Sequence, residues 1–268
     1  MALAEPSVKS LRITTRANSA DLGPATGFLI LEQGVVWLLT NWHVLSGRNA
    51  DSEQILSTTG ATPESIRIRF HGLVLGQFVE VDVPLRDDDG LPLWLEHPTH
   101  GHTIDVAALR LPDDVGQVVT VTDTSTMFST PINFYNYDLA AADPAGIFIS
   151  VGERLSVVGF PVGEEVQGFP IWTQAFVASE LDLRFRNLPC FLIDSRTRMG
   201  QSGSPVVFYS ASGQYPSAVG VTTLGAAVNS RFMGVYSGRI NDESDIGRVW
   251  TPEAILEVMR GGQRASCL

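Results

Sequence analysis

The sequence predicts an all-β protein, a barrel or a sandwich. Three observations predict it: short runs rich in β-branched and aromatic residues recur, Gly and Pro punctuate them, and helical signals are scarce. The runs fall into two groups. In the first, residues 27–31 (GFLIL) and 35–39 (VVWLL) are joined by Glu32, Gln33 and Gly34, a three-residue link with glycine that reads as a hairpin. Residues 66–70 (IRIRF) read as another strand, and 86–90 (RDDDG) as a solvated acidic turn. Residues 103–111 (TIDVAALRL) place an aspartate inside an apolar strand. In the second group, 155–160 (LSVVGF), 205–209 (PVVFY) and 232–236 (FMGVY) are strands. One helix is predicted near 252–260. Thr251 suits its N-cap, Pro252 is tolerated at the first position, Glu253 suits the helix dipole, and Gly261 and Gly262 end it. The expected organisation is a first unit over 1–112, an Asp/Thr/Pro/Ala-rich linker over 113–149 with one or two strands, and a second unit over 150–268.

Composition excludes several classes of function. The 268 residues are 44% hydrophobic and 18% charged, ample for a packed core and inconsistent with wholesale disorder. Acids outnumber bases 29 to 18, a net charge of −11. That balance argues against a nucleic-acid partner and against an anionic membrane surface. No stretch approaches the roughly 20 apolar residues of a membrane span. The start, MALAEPSVKSLRITTR, lacks the apolar stretch of a signal peptide, so a cytoplasmic location is expected. Cys190 and Cys267 cannot build a disulfide framework. Cys190 reads as a buried thiol and Cys267 as part of a mobile end.

Three segments carry chemistry. Residues 38–45 (LLTNWHVL) bring His43 within a few residues of a strand end, where a structural histidine is the blander reading. Asp105 lies among apolar residues, and a buried carboxylate costs several kcal/mol unless a partner holds it. Backbone amides or a histidine would serve. Residues 199–207 (MGQSGSPVV) flank Ser202 with glycines, which let backbone amides turn toward one point as an oxyanion requires. An ordinary Gly/Ser turn is the alternative.

Together, TNWHV, IDVAALRL and GQSGSP, in that order, resemble the chymotrypsin/trypsin-like serine peptidases. Further matches are 25–28 (ATGF), 157–163 (VVGFPVG) and 234–238 (GVYSG), the last resembling the strand that pairs with substrate. The resemblance covers about residues 24–250. It implies two six-stranded antiparallel β-barrels with a short C-terminal helix, the first carrying His43 and Asp105 and the second Ser202. It implies a serine endopeptidase acting on protein or peptide substrates, with no cofactor and no metal. Ser202 would be the nucleophile, His43 the general base and acid, and Asp105 the group orienting the imidazole. The amides of Gly200 and Ser202 would form the oxyanion hole, and Ser237 would bond the buried aspartate. Substrate-binding positions carried over from the family are Arg196 at the pocket base, then Thr197, Tyr236, Ser237, Gly238 and Arg239.

Departures from the secreted branch narrow the expectation. Gln201 stands where those enzymes carry an aspartate that pairs with a newly cut amino terminus, and no Ile-Val-Gly-Gly start exists. Activation by that ion pair is not expected. With the missing disulfides, this resembles bacterial intracellular branches, HtrA-like or glutamyl-endopeptidase-like, without a PDZ module. A pocket with Arg196 and Arg239 could select an acidic residue before the scissile bond. The alternative has Arg196 paired with Asp194, Glu243 or Asp245, or pointing to water. Residues 194–201 are expected to be partly ordered at rest and to tighten on substrate or on a regulatory partner protein. A catalytically silent binding or scaffold module is the other alternative. His97, His100 and His102 are dense enough to suggest zinc, but their spacing does not fit a known ligand signature, and a polar loop is expected instead.

Overall fold

The computed structural model describes residues 3–115, 119–123, 126–139, 146–217, 222–225, 228–241 and 243–265. Cys267 and parts of the 113–149 stretch lie outside the described residues. Among those described, strand is the dominant regular structure, arranged chiefly as a nine-stranded sheet and a closed six-stranded barrel.

Alternation builds the first sheet. In strand Ser65–His71, Ile66, Ile68 and Phe70 are fully buried while Arg67 and Arg69 take the opposite face. The neighbouring strand Phe78–Pro84 sets Asp82 across from Arg67 and Glu80 across from Arg69. Arg67 bonds Asp82 through two 2.8 Å contacts, and Arg69 Nη2 donates to Glu80 at 2.8 Å. The hairpin between Ala20–Glu32 and Val35–Thr40 is tighter than the sequence suggests, because Glu32 itself pairs with Val35. Only Gln33 and Gly34 remain to turn the chain, both at positive φ, as a two-residue primed turn requires.

The first sheet runs Gln263–Arg264, Trp94–Glu96, Ala107–Arg110, Val35–Thr40, Ala20–Glu32, Ser10–Ala17, Ser65–His71, Phe78–Pro84, with Asn136–Tyr137 beside Ala20–Glu32. It does not close, which corrects the expectation of two closed six-stranded barrels. The strands that would complete it are Phe78–Pro84 and Trp94–Glu96. Between them lies an isolated Arg86/Pro92 bridge, with Leu93 N–H donating to Leu85 O and Asp87 N–H to Leu91 O, both at 2.9 Å. Pro84 and Pro92 have no amide to give, the acidic turn diverts the chain, and Gln263–Arg264 takes up the free edge of Trp94–Glu96.

The second half closes fully: Arg154–Gly159, Ile171–Val177, Cys190–Asp194, Ile246–Trp250, Asn229–Arg239 and Pro205–Ser210 form a ring. Its interior holds Val157, Phe191, Val206, Tyr236 and Val249. Between the halves lies a separate core of Phe28, Leu39 and Val106 against Val158, Val235 and Trp250. Helix Pro252–Gly261 inserts Ala254, Ile255, Val258 and Met259 into the same core. Thr251 Oγ1 accepts from Ala254 N–H at its N-terminus. This shared core fixes one half against the other and holds the cleft between them. Among the described residues no helix is long and apolar enough to cross a membrane.

His71 marks the same seam. It is 3% exposed, and its ring meets Phe78 and Tyr135 on its own side and Phe169 from the second half, with centroids 5.2–5.6 Å apart. Burial pushes its pKa down to about 4, against a raising hydrogen bond at Val8. Below pH 6.5 the unfolded chain takes a proton that folded His71 refuses. Stability therefore falls as pH drops from 6.5 toward 4, by on the order of 3 kcal/mol for this group, and levels off below. His71→Phe should lack that part of the acid limb. Urea midpoints against pH for the two proteins check this, and parallel limbs would refute it.

Candidate active site

A cleft of about 480 Å³ lies between the halves, lined among others by His43, Asp105, Gly200, Ser202 and Ser237. A second cavity of about 510 Å³ adjoins it, sharing Met199, Ser202, Gly238 and Arg239 and adding Thr197 and Tyr236.

His43 is positioned by a five-residue helix, Trp42–Ser46. Strand Val35–Thr40 delivers the chain, and the helix buries Trp42, Val44 and Leu45 while presenting His43 to the cleft. Asp105 is not inside a strand as the sequence suggests. It sits in a tight turn closed by Val106 N–H to Ile104 O (2.7 Å), just before strand Ala107–Arg110, with Ile104 and Val106 fully buried on either side. That kink turns the carboxylate toward the cleft. Asn41 Nδ2 secures the turn by donating to Asp105 O at 2.7 Å.

The carboxylate is fully engaged. His43 N–H donates to Asp105 Oδ1 at 2.9 Å, His43 Nδ1 lies 2.7 Å from Oδ2, and Ser237 Oγ donates to Oδ2 at 2.8 Å. Burial alone would push Asp105 up; the charge of His43, the hydrogen bonds from it and the bond from Ser237 outweigh it and lower the pKa. Burial alone would push His43 down; the charge of Asp105 and the bond to it raise the pKa instead. An ionised carboxylate only accepts, so the proton of neutral His43 rests on Nδ1 and the Nε2 lone pair is free for other work.

The Ser202 turn is built on two glycines. Gly200 has φ +88°, and a Cβ there would lie 2.3 Å from Phe160 O. Gly203 has φ +82°, and a Cβ there would lie 2.0 Å from Thr26 O. The turn is also tied on every side. Thr26 N–H donates to Ser202 O (2.9 Å), Thr26 Oγ1 donates to Gly200 O (2.8 Å), and Val162 N–H donates to Met199 O (2.5 Å). Gln201 is fully buried; its Oε1 takes Arg198 N–H at 2.8 Å and its Nε2 gives to Thr173 Oγ1 at 2.7 Å. These bonds tie the 198–202 segment to Thr26 of the first sheet and to Val162 and Thr173 of the second half.

The backbone amides of the turn divide cleanly. Gln201 N–H reaches Arg198 O, Gly203 N–H reaches Tyr236 O, and Ser204 N–H reaches Gln201 O. Among the described residues the amides of Gly200 and Ser202 have no acceptor. In a trans peptide the N–H points opposite the C=O, and Met199 O is held by Val162, so Gly200 N–H faces away from Val162. Two free amides therefore flank the serine of the cleft. Ser202 Oγ itself makes no hydrogen bond to His43 among the described residues. If these amides receive an oxyanion formed at Ser202, Gly200→Ala should slow acylation of that serine by roughly 100-fold or more, because relief of the clash with Phe160 O moves one donor. Labelling of this variant at the wild-type rate would refute the assignment.

The other expected positions divide as follows. Thr197 Oγ1 and Tyr236 OH are hydrogen bonded to each other in the second cavity, beside Gly238 and Arg239. Arg196 lines neither cavity; its side chain is 85% exposed and lies 3.9 Å from Asp245, the alternative pairing. The three clustered histidines part company. His97 Nε2 meets Glu257 at 2.8 Å, His102 Nε2 meets Glu53 at 3.2 Å, and the His100 ring lies tilted against that of His97, centroids 5.1 Å apart. Among the described residues no group of three His, Cys, Asp or Glu is placed to hold a metal. Cys190 is a buried free thiol whose pKa is pushed up to about 11 by burial.

Sequence reading missed the outer supports. Glu165 accepts from Arg12 Nη1 (3.0 Å) and Arg69 Nη1 (2.7 Å), both from the first sheet. It thereby holds the 161–165 turn whose Val162 supports Met199. Nothing local in the sequence links these residues, because the pairs span 153 and 96 positions.

A family model described as a trypsin-like peptidase domain matches residues 25–215. Among solved structures, the active form of the Rv3671c protease from M. tuberculosis is similar at 18% identity, over 98% of this chain and 85% of that one, with a TM-score of 0.47. The inactive form of that protease is similar at 17% identity, over 96% and 89%, with a TM-score of 0.46. The serine endoprotease from Yersinia pestis is similar at 14% identity, over 95% and 62%, with a TM-score of 0.49. No curated protein matches the chain.

Proposed function

The chain belongs to the trypsin-like peptidases, and from that premise we propose that it is a serine endopeptidase working through His43, Asp105 and Ser202. The observation that carries the reading is the pair of unpartnered amides, Gly200 and Ser202, in the same cleft as an imidazole held by a buried carboxylate. Ser202 Oγ attacks the scissile carbonyl while His43 Nε2 takes its proton. The carbonyl oxygen becomes an oxyanion and receives both amides; each such donor is worth about 3 kcal/mol in the transition state. Imidazolium then protonates the leaving amine, the C–N bond breaks and an acyl-serine remains. Water, deprotonated by His43, attacks that ester, and the proton returns to Ser202 as the acid leaves. Asp105 stays ionised throughout, fixes the tautomer and stabilises the imidazolium.

The Ser202 Oγ–His43 Nε2 hydrogen bond would tighten as substrate is engaged. Residues 237–239 form the edge along which a peptide would pair, and Thr197, Tyr236 and Arg239 would meet the residue before the scissile bond. A fluorophosphonate probe tests the reading without knowledge of the substrate. One adduct per chain is expected by intact mass, absent in Ser202→Ala. No adduct at all would overturn it.

A further inference from the structure

The cleft contains a buried cation that this mechanism does not use. Arg248 lies on strand Ile246–Trp250, paired through Leu192 on one side and flanked by the strand of Ser237 and Gly238 on the other. Its neighbour Val249 packs with Tyr236 inside the barrel. Alternation turns Arg248 the other way, into the cleft it lines with His43, Ser202 and Gly238. Its side chain is 7% exposed, yet Nε has no hydrogen-bond partner.

What faces the guanidinium is weak. Asp51 Oδ2 lies 3.6 Å from Nη2, beyond a hydrogen bond, and the Asp51 side chain is 60% exposed on the loop after Gly47. The Trp250 ring lies 5.5 Å away. A desolvated cation is stable only when well paired and hydrogen bonded, and a native buried donor without a partner calls for an explanation. The surroundings leave room for one. Gly238 and Arg248 line the same cleft, and a Cβ at Gly238 would meet nothing within 4 Å.

We propose that Arg248 forms a subsite for a substrate carboxylate, the side chain of Asp or Glu on the segment N-terminal to the scissile bond. The guanidinium fork matches a carboxylate bidentately, and two of its N–H groups would supply the donors. Asp51 is the resting counter-ion, and the incoming carboxylate displaces it toward solvent. The site is distinct from the cavity of Thr197 and Tyr236, which takes the residue at the scissile bond itself. The proposal rests on the peptidase reading for its orientation along the substrate.

Quenched peptides with Glu or Gln at successive positions before the scissile bond test it. In the wild type, Glu should exceed Gln in kcat/KM at one position by roughly ten- to a hundredfold, the advantage of one charge-assisted pair. Arg248→Gln should bring that ratio to about one, and Asp51→Asn, which removes the competing carboxylate, should raise it several-fold. A purely structural Arg248–Asp51 pair would leave the Asp51→Asn ratio unchanged, and that result overturns the proposal even if Arg248→Gln does not fold. The same peptides are titrated onto Ser202→Ala protein by fluorescence anisotropy. Glu-selective binding without turnover in the wild type keeps the subsite and removes the peptidase reading. Equal handling of Glu and Gln at every position, in turnover and binding alike, removes the subsite and leaves the peptidase reading standing.

Discussion

Ser202→Ala is expected to lower kcat by several powers of ten, on the order of a millionfold, while the fold is retained. On the proposed mechanism, removing Oγ removes the atom that forms the acyl bond. The turn itself should persist. The bonds that shape it run through the Ser202 and Gly200 carbonyls, the Met199 carbonyl and the Gln201 side chain, none of which the substitution touches. The remaining oxyanion donors and the cleft leave a residual rate above that in water. Peptide turnover by purified wild type and variant, with circular dichroism as the check on folding, measures the difference. Turnover by Ser202→Ala at anything near the wild-type rate, with contaminating peptidases excluded, would remove Ser202 from the role of nucleophile.

The candidate site is legible in the sequence where its geometry restricts residue types at short range. Gly200 and Gly203 adopt backbone angles that other residues avoid, and both have backbone oxygen closer than a Cβ tolerates, so the GxSG pattern is written locally. The strand-to-helix passage before His43 is equally local. What holds these pieces is not. The first sheet stays open in part because residues 263–264 take the edge of Trp94–Glu96, and these two segments lie far apart in the chain. The same holds for Gln201. Its type showed that no amino-terminal ion pair could form, but its role as an internal brace depends on Thr173, across the barrel. For Arg196 the sequence offers both a pocket base and a pairing with Asp245, and the fold favours the second. Its position in the chain fits the pocket base, but its side chain points to solvent near Asp245.

Asp105→Asn should reduce kcat by about ten-thousandfold near neutral pH and shift the acid limb of activity downward. In the wild type the carboxylate accepts three hydrogen bonds, from His43 N–H, the His43 ring and Ser237 Oγ. An amide offers one oxygen and one NH2, so one of these donors must face another donor. If the NH2 turns to the ring, Nδ1 becomes the acceptor, the proton moves to Nε2, and His43 can no longer take the proton of Ser202. The charge effect has a definite sign. Burial lowers the His43 pKa, and Asp105 more than reverses it, so the wild-type acid limb lies above the ordinary histidine value of 6.5. Without the negative charge, burial acts alone and the limb moves below 6.5. Stability follows the same linkage: the His43–Asp105 attraction is fully present below pH 6.5 and is lost as pH rises through the raised His43 value. It is lost as well when pH falls through the lowered Asp105 value. Profiles of kcat/KM against pH for the two proteins measure the displacement. An Asn variant whose acid limb coincides with the wild type, or whose rate at neutral pH is within tenfold of it, would show that Asp105 neither orients nor charges His43.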